Sequence, residues 1–200
     1  MVTTNLIQTI AINIPKEINL KITYEQFLEL ALVNRDLQLE RTATGELIVM
    51  APTGSDTGRQ NLGIEAQLWL WNRQTKLGVA FNSSTGFNLP NGSSRSPDAA
   101  WVKQERWDAL TSEQQETFAP LCPDFVVELR SKNDTILELQ KKMKEYQSNG
   151  AKLGWLIDSK NRKVEIYRQN QKVEILENPD SLSGEDVLPG FILDLTEIWN

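Results

Sequence analysis

The 200-residue sequence contains no histidine and only one cysteine. Without histidine, His-based acid-base catalysis and His-ligated zinc are excluded, so a bound metal would have oxygen ligands and would be a hard ion such as Mg²⁺ or Mn²⁺. A single cysteine cannot form an internal disulfide. Because Cys122 lies in an apolar approach to a predicted strand, we interpret it as a small core residue and not as a nucleophile.

Long hydrophobic runs are also absent. No apolar stretch approaches the roughly 20 residues of a membrane span, and the first five residues lack the basic start of a signal peptide. We therefore expect a cytoplasmic protein. A hydrophobic content of 40% and a charged content of 24% are typical of globular proteins and predict a single domain over residues 1–200.

The charge of the chain is unevenly distributed. The net charge of −6 is unfavourable for binding a polyanion, since contacts to phosphate dominate the affinity of proteins for nucleic acids. Residues 130–172, however, contain 11 Lys and Arg against 5 Asp and Glu. We therefore expect any nucleic-acid face to lie in this basic segment.

Two apolar segments that carry carboxylates, residues 96–102 and 123–132, organise the chain. Alternation along a strand places Glu128 on one face and its apolar neighbours Val127 and Leu129 on the other. An unpaired buried carboxylate would cost several kcal/mol, so Glu128 requires a compensating partner. If Asp98 lies on a neighbouring strand, the two carboxylates can converge on a cation.

Local patterns place further elements in the first half of the chain. They predict a helix after a capping box at residues 23–26, a hairpin from residues 37–41 and 46–50, and a second helix over residues 57–76. We expect the buried stripe of the second helix to contain Leu62, Ala66, Trp69 and Arg73. Residues 79–89 are predicted to form a strand.

In the second half, Asn133 or Asp134 is predicted to cap a helix. Its apolar stripe consists of Ile136, Leu139, Met143 and Tyr146. A strand at residues 153–158 and a hairpin from residues 164–167 and 173–175 follow. This order of elements predicts an α/β or α+β fold, with a mixed β-sheet flanked by helices.

The sequences Pro97-Asp98 and Glu128-Leu129-Arg130 resemble the PD-(D/E)XK nuclease pattern. The wider context, Pro-Asp-x-x-x-Glu-x-x-Ser followed by Lys-Met-Lys-Glu-Tyr-Gln-Ser-Asn-Gly and Gly-Trp-Leu-Ile-Asp, is similar to the Uma-type family of restriction-endonuclease-like proteins. The resemblance extends from about Leu39 to the C-terminus and leaves residues 1–20 as a poorly covered extension. It implies a restriction-endonuclease-like core, with Asp98, Glu128 and the backbone carbonyl of Leu129 as metal ligands.

The sequence departs from the simple pattern at Arg130, which stands where the pattern has lysine. Arginine stays protonated and can hardly act as a base. Lys142 matches the family position of a lysine that has migrated to the helix, and on a helical wheel it lies about 70° from the apolar stripe, against about 130° for Lys144. The alternatives are that Lys142 forms a surface pair with Glu138, and that Asp98 caps a turn while Glu128 pairs with Arg130.

A further carboxylate is expected from the first half of the chain. Glu46 matches a family position, whereas Glu65 lies beside the predicted helix stripe, and we prefer Glu46. The family often has a histidine shortly after the Pro-Thr-Gly turn, where this chain has Thr57 or a neighbour. That departure leaves one polar partner of the site unidentified.

Two functions are consistent with these features. The first is a Mg²⁺-dependent endodeoxyribonuclease, with Mn²⁺ as a substitute, that uses Asp98, Glu128, Lys142 and Glu46 to hydrolyse DNA phosphodiester bonds. Cutting both strands with one site per chain predicts a homodimer. The alternative is a catalytically inactive relative that binds nucleic acid or a protein, for which Arg130 and the acidic net charge argue.

Overall fold

The structure is a computed structural model that describes residues 20–199. The predicted N-terminal extension, apart from Leu20, lies outside these residues. The helices of the described part are α1 (Tyr24–Val33), α2 (Ser55–Thr75), α3 (Gln104–Asp108), α4 (Ser112–Glu116) and α5 (Ile136–Ser148). Within this part of the chain, none of the helices combines the length and the apolar character of a membrane span.

The strands of residues 20–199 form three sheets. They are β1 (Gln38–Arg41), β2 (Leu47–Met50), β3 (Gly78–Asn82), β4 (Phe87–Asn88), β5 (Ser94–Arg95), β6 (Ala99–Lys103), β7 (Phe125–Leu129), β8 (Leu153–Asp158), β9 (Lys163–Arg168), β10 (Glu174–Glu177), β11 (Ser181–Ser183) and β12 (Ile192–Asp194). The large sheet has the order β10-β9-β8-β7-β6-β3, the small sheet the order β2-β1-β5-β4, and β11 pairs with β12. Only β7 and β8 pair in parallel among these strands, so the large sheet is mixed, as predicted.

The large sheet is covered on both faces. Phe125, Val127 and Leu129 of β7 pack into the core cluster that contains Ile64 and Leu68 of α2. The opposite face packs against α5, and its cluster contains Val126, Leu139, Met143 and Tyr146. The alternation predicted for β7 is therefore confirmed, and the mixed sheet lies between helices. Cys122 belongs to the second cluster, and burial raises the pKa of its thiol to about 12, consistent with the predicted core role.

Helix α5 buries the predicted stripe, but its cap differs from the prediction. Leu139, Met143 and Tyr146 are buried against the sheet. The N-cap is Thr135, whose hydroxyl accepts a hydrogen bond from the Glu138 amide, and not Asn133 or Asp134. The carboxylate of Asp134 instead accepts a hydrogen bond from the Ser131 amide, 2.8 Å away, and so shapes the turn between β7 and the helix.

The buried stripe predicted for α2 is wrong. Leu62 and Trp69 are 65% and 51% exposed. The helix buries Gln60, Asn61, Ile64 and Leu68. Two of these buried residues are polar. Their burial is possible because Gln60 donates a hydrogen bond to the Ile198 carbonyl and Asn61 donates one to Asp98. Hydrophobic periodicity alone could not identify a face that carries amides inward.

The small sheet meets the large sheet where the chain passes from β5 to β6. The predicted hairpin of β1 and β2 is confirmed, with Glu40 opposite Ile48. Strand β5 pairs with β1 through Arg41 and Ser94, and only three residues separate the end of β5 from the start of β6 in the large sheet. The residues between these strands, Ser96 to Asp98, therefore lie at the junction of the two sheets.

The close approach of β3 to β6 can be tested by adding one methyl group. A Cβ at Gly78 would lie 2.2 Å from the backbone carbonyl oxygen of Val102, so one of the two strands must shift. We expect Gly78→Ala to lower the free energy of unfolding by about 1–3 kcal/mol. Urea denaturation measures the change.

Gly58 provides the control, because a Cβ there meets nothing within 4 Å and Gly58 lies inside α2. Gly58→Ala should stabilise the protein by about 0.4–1 kcal/mol. Equal effects of the two substitutions would contradict the described packing of β3 on β6.

Candidate active site

The residues singled out in the two carboxylate segments meet at the junction of the two sheets. Asp98 directly precedes Ala99, which pairs with Val127 of β7, so Asp98 lies beside the carboxyl end of that strand. The Leu129 amide donates a hydrogen bond to Asp98 Oδ2 at 2.7 Å. Glu128 points from β7 toward α5, where the Tyr146 hydroxyl donates to its Oε1 at 3.0 Å. Asp98 thus arrives next to the Glu128 strand, as predicted.

Lys142 of α5 reaches this junction. Its Nζ lies 2.8 Å from Glu40 Oε1 and 2.9 Å from Glu128 Oε1, and it donates to the Ser96 carbonyl at 3.3 Å. The Lys142 side chain is 13% exposed, whereas Lys144 is exposed. The predicted orientation of Lys142 toward the sheet is confirmed, and the alternative of a surface pair with Glu138 is not what the structure shows.

Glu40 is a site residue that the sequence analysis missed. Its Oε1 accepts a hydrogen bond from the Ser96 amide at 2.8 Å, and its Oε2 lies 3.0 Å from Arg95. Only 2% of Glu40 is exposed. A charged residue directly after Leu39, which is buried in β1, was the available signal, but a single four-residue strand does not reveal which of its faces is covered.

The structure does not bring Glu46 to Lys142. Glu46 precedes β2 at the turn of the hairpin, beyond the last strand pair of Arg41 with Leu47. Its backbone forms a bridge with Lys21. The other candidate, Glu65, accepts a hydrogen bond from the Ser83 amide at 3.0 Å. The hairpin register therefore gives the site Glu40, which lies within β1, in place of the expected Glu46.

Arg95 holds the surroundings of Glu40 in place. Its Nε donates to Glu145 Oε2 at 2.6 Å, and its side chain is 10% exposed. Burial opposes the charged form of Arg95, but Glu40 and Glu145 together raise the pKa of its guanidinium. This arginine links β5 of the small sheet to α5, the helix that carries Lys142.

Arg130 does not take part in this cluster. Its guanidinium lies 2.7 Å from Asp158 at the end of β8 and also donates to the Asp134 carbonyl. The alternative in which Glu128 pairs with Arg130 is therefore not observed. Arg130, at the position where the simple pattern has lysine, instead joins the ends of the parallel strands β7 and β8 through its ion pair with Asp158.

The protonation states in the cluster follow from burial and from Lys142. Burial raises the pKa of Glu128 to about 8, since the nearby Lys142 offsets only part of the cost of burying its charge. Burial alone would also raise the pKa of Glu40, but Lys142 and Arg95 lower it. Burial likewise disfavours the charge of Lys142, yet Glu128 and Glu40 raise the pKa of its ammonium group. Lys142 is therefore a permanent cation at neutral pH.

The cluster contains more acidic than basic groups. It combines two cations with four carboxylates, namely Lys142 and Arg95 with Glu40, Asp98, Glu128 and Glu145. If all were ionised, two negative charges would remain without compensation. A divalent cation would supply that charge, and carboxylate oxygens are the ligands that Mg²⁺ and Mn²⁺ prefer.

An unpaired amide oxygen lies beside Asp98. Asn61 donates from Nδ2 to Asp98 Oδ1 at 3.0 Å, while its own Oδ1 is buried without a hydrogen-bond partner in the described part of the chain. Burial raises the pKa of Asp98, as expected for a carboxylate that lacks a direct cationic partner. No group of three or more acidic or Cys side chains in residues 20–199 is arranged to hold an ion. Two carboxylates completed by water and by amide or backbone oxygens fit Mg²⁺, which usually keeps several waters.

Leu129 contacts Asp98 through its amide, which is a donor and cannot ligate a cation. The role of its carbonyl as a ligand stays a prediction. Asn61 of α2, four residues after Thr57, is a polar partner of Asp98 that the sequence analysis did not identify.

Comparison with known proteins gives two matches. The family model Uma2, described as "Putative restriction endonuclease", matches residues 24–196. Among solved structures, the chain is similar to "a putative nuclease belonging to DUF820" from Anabaena variabilis ATCC 29413, with a TM-score of 0.74 and 19% identity over 89% of this chain and 97% of that one. This likeness shows a shared fold. A search of curated proteins found no match.

The raised pKa of Glu128 predicts a pH-dependent cost to stability in the metal-free protein. The ordinary pKa of 4.5 applies to the unfolded chain, so between about pH 4.5 and 8 the folded state binds more protons and the free energy of unfolding falls as pH rises. Glu128→Gln removes this cost. In EDTA at pH 9, we expect the variant to melt at a higher temperature than the wild type, by about 2–4 °C for each kcal/mol by which the free energy of unfolding increases. The difference should be smaller at pH 5.

Glu29→Gln is the control, because Glu29 is exposed on α1. It should change the melting temperature equally at both pH values. A Glu128→Gln protein with the same stability difference at pH 5 and pH 9 would contradict the raised pKa.

Proposed function

Because this chain belongs to the Uma2 family, we propose that it is an endonuclease that hydrolyses DNA phosphodiester bonds with the help of Mg²⁺, for which Mn²⁺ can substitute. The observation that carries the proposal is the buried Lys142 ammonium between Glu40 and Glu128, with Asp98 alongside. Such an arrangement is costly to bury, and a structural role alone would be served as well by apolar side chains.

Asp98 and Glu128 are the proposed ligands of the divalent ion, with the Leu129 carbonyl as a third. When bound, the ion supplies positive charge that lowers the pKa of water and offsets the charge developing on the phosphate. Asp98 is oriented for this role by the Leu129 amide and by Asn61. Glu128, whose pKa is about 8 without the ion, must release its proton to serve as a ligand.

Lys142 supplies a fixed positive charge in the proposed mechanism. Glu128 and Glu40 raise the pKa of its ammonium group, so in this proposal Lys142 acts through its charge and not as a general base. Its contact to the Ser96 carbonyl is the longest of the three, at 3.3 Å. We propose that Nζ exchanges this contact for a phosphate oxygen or the attacking water.

Glu40 and Arg95 are positioning residues in this proposal. Glu40 fixes Nζ of Lys142 at 2.8 Å from its Oε1, and Arg95 holds Glu40 and α5 together. Among residues 20–199, Glu46 contacts Lys21 and Thr42 through its backbone and does not contact Lys142. Cutting both strands of a duplex with one such site per chain usually takes two copies related by a two-fold axis, so we propose a homodimer.

Replacing Lys142 separates its catalytic role from its structural one. Lys142→Ala should abolish cleavage of plasmid DNA, while the affinity for Mn²⁺ is retained or increases, because the ammonium group no longer competes for Glu128. Lys142→Arg should restore little activity, since the guanidinium is larger and forked. Gel assays of cleavage and calorimetric titration with Mn²⁺ measure the two effects.

Lys144→Ala is the matched control, because Lys144 is exposed on the same helix. Its cleavage rate should stay within a few-fold of the wild type. Equal activity of the Lys142→Ala and Lys144→Ala proteins would remove Lys142 from the mechanism.

The metal ligands are tested by binding, independently of cleavage. Asp98→Asn removes the charge with little change of shape, so the heat of Mn²⁺ binding should be lost while the protein stays folded by circular dichroism. Asp186→Asn, at an exposed position, should bind Mn²⁺ like the wild type. A wild type that binds no divalent ion would instead favour a catalytically inactive, nucleic-acid-binding or protein-binding relative.

A further inference from the structure

A basic cleft of about 760 Å³ lies next to the candidate active site. It is bounded by the first turn of α2 from residue 55, by residues 130–132 after β7, and by the turn at residues 158–162 between β8 and β9. We refer to these residues as the basic cleft. Nothing in the mechanism above uses it.

The cleft carries positive charge that the protein does not neutralise. Lys132, Lys160 and Arg162 line it, and none of them forms an ion pair within residues 20–199. The carboxylates at its wall are already engaged, since Asp158 pairs with Arg130 and Asp56 lies 3.3 Å from Arg59. An excess of cations at one place is notable in a chain of net charge −6.

The backbone amides of the first turn of α2 add partial positive charge at one wall of the cleft. Helix α2 is 21 residues long, and its N-cap Gly54 provides no side-chain hydrogen bond to the first turn. The first amides of a helix lack partners within the helix and carry partial positive charge. They add to the attraction that the lysines exert on an anion in the cleft.

The cleft adjoins the site through two elements. Gln60 lines the cleft, and the next residue, Asn61, binds Asp98. On the other side, Arg130 follows Glu128 by two residues, a rise of roughly 6.6 Å along a strand. The lining of the cleft therefore begins one residue from Asn61 and two residues from Glu128.

We infer that the basic cleft binds backbone phosphates of the nucleic-acid strand next to the bond that is cut, through Lys132, Lys160 and the first turn of α2. The inference rests on the proposed function, because it places the scissile phosphate at Asp98 and Glu128. Lysine contacts to phosphate carry no base specificity, so the cleft sets the path of the strand and not the sequence that is recognised.

The salt dependence of binding tests this inference. The slope of log K against log salt is negative, and each phosphate contact that is lost reduces its magnitude by about 0.9 on duplex DNA and about 0.7 on a single strand. For Lys132→Gln combined with Lys160→Gln we expect a loss of about 1.8 or about 1.4. The measurement is fluorescence anisotropy of a labelled 20-base-pair duplex, and of one of its strands, in EDTA so that no cleavage occurs.

The control is Lys141→Gln combined with Lys144→Gln, which removes the same charge from exposed positions on α5 within the same basic segment. Its slope should match that of the wild type. Equal slopes for the two double variants would overturn the inference, as would a wild type that does not bind the duplex. Displacement of the duplex by an equal concentration of a 5′-mononucleotide would also overturn it, because the cleft would then hold a free nucleotide and not a strand.

Cleavage of the same duplex with Mn²⁺ keeps this result separate from the proposed function. If the magnitude of the slope falls only in the cleft variant and the wild type does not cleave the duplex, the cleft is a nucleic-acid-binding site and the proposed nuclease function is wrong. If the wild type cleaves the duplex but the cleft substitutions leave the slope unchanged, the nuclease function is supported and the cleft is not a phosphate-binding site.

Discussion

The buried ammonium group of Lys142 is the interaction on which the site depends. A lysine in the interior loses its hydration, and only nearby carboxylates make its charge tolerable. Glu40 and Glu128 provide them from two different sheets, at 2.8 and 2.9 Å. The cluster therefore ties α5, the small sheet and the large sheet to one point. A shift of any of these elements would separate charges that none of them could bury alone.

This constraint also explains the division of labour between the two basic residues near β7. Arg130 lies two residues beyond Glu128, yet its guanidinium turns to Asp158 and joins the ends of the parallel strands. The space beside Glu128 is left to a lysine from a helix on the sheet face. A compact ammonium group fits between two carboxylate oxygens, whereas a planar guanidinium presents a fork of donors. The two residues are therefore not interchangeable, although both are cations.

The parts of the fold that were predicted correctly are those whose signal is local or strictly periodic. The Thr23 and Gln26 capping box forms as predicted, and α5 buries the stripe that places Lys142 toward the sheet. The prediction of the buried face of α2 was wrong because that face carries Gln60 and Asn61, which form hydrogen bonds with residues distant in sequence. Periodicity detects apolar faces, and an amide that binds a buried carboxylate is invisible to it.

By itself, the sequence determined the carboxylate strand, the helix after it and the side of that helix on which Lys142 lies, because alternation and helical spacing are properties of adjacent residues. Only the tertiary structure decided that Glu40 and not Glu46 meets Lys142. That choice depends on the register of the hairpin and on the pairing of β1 with β5, which brings Arg95 and Ser96 to Glu40. The contacts of Glu40 with Arg95 and with Lys142 join segments distant in sequence, and no local pattern encodes the distances across a packed core.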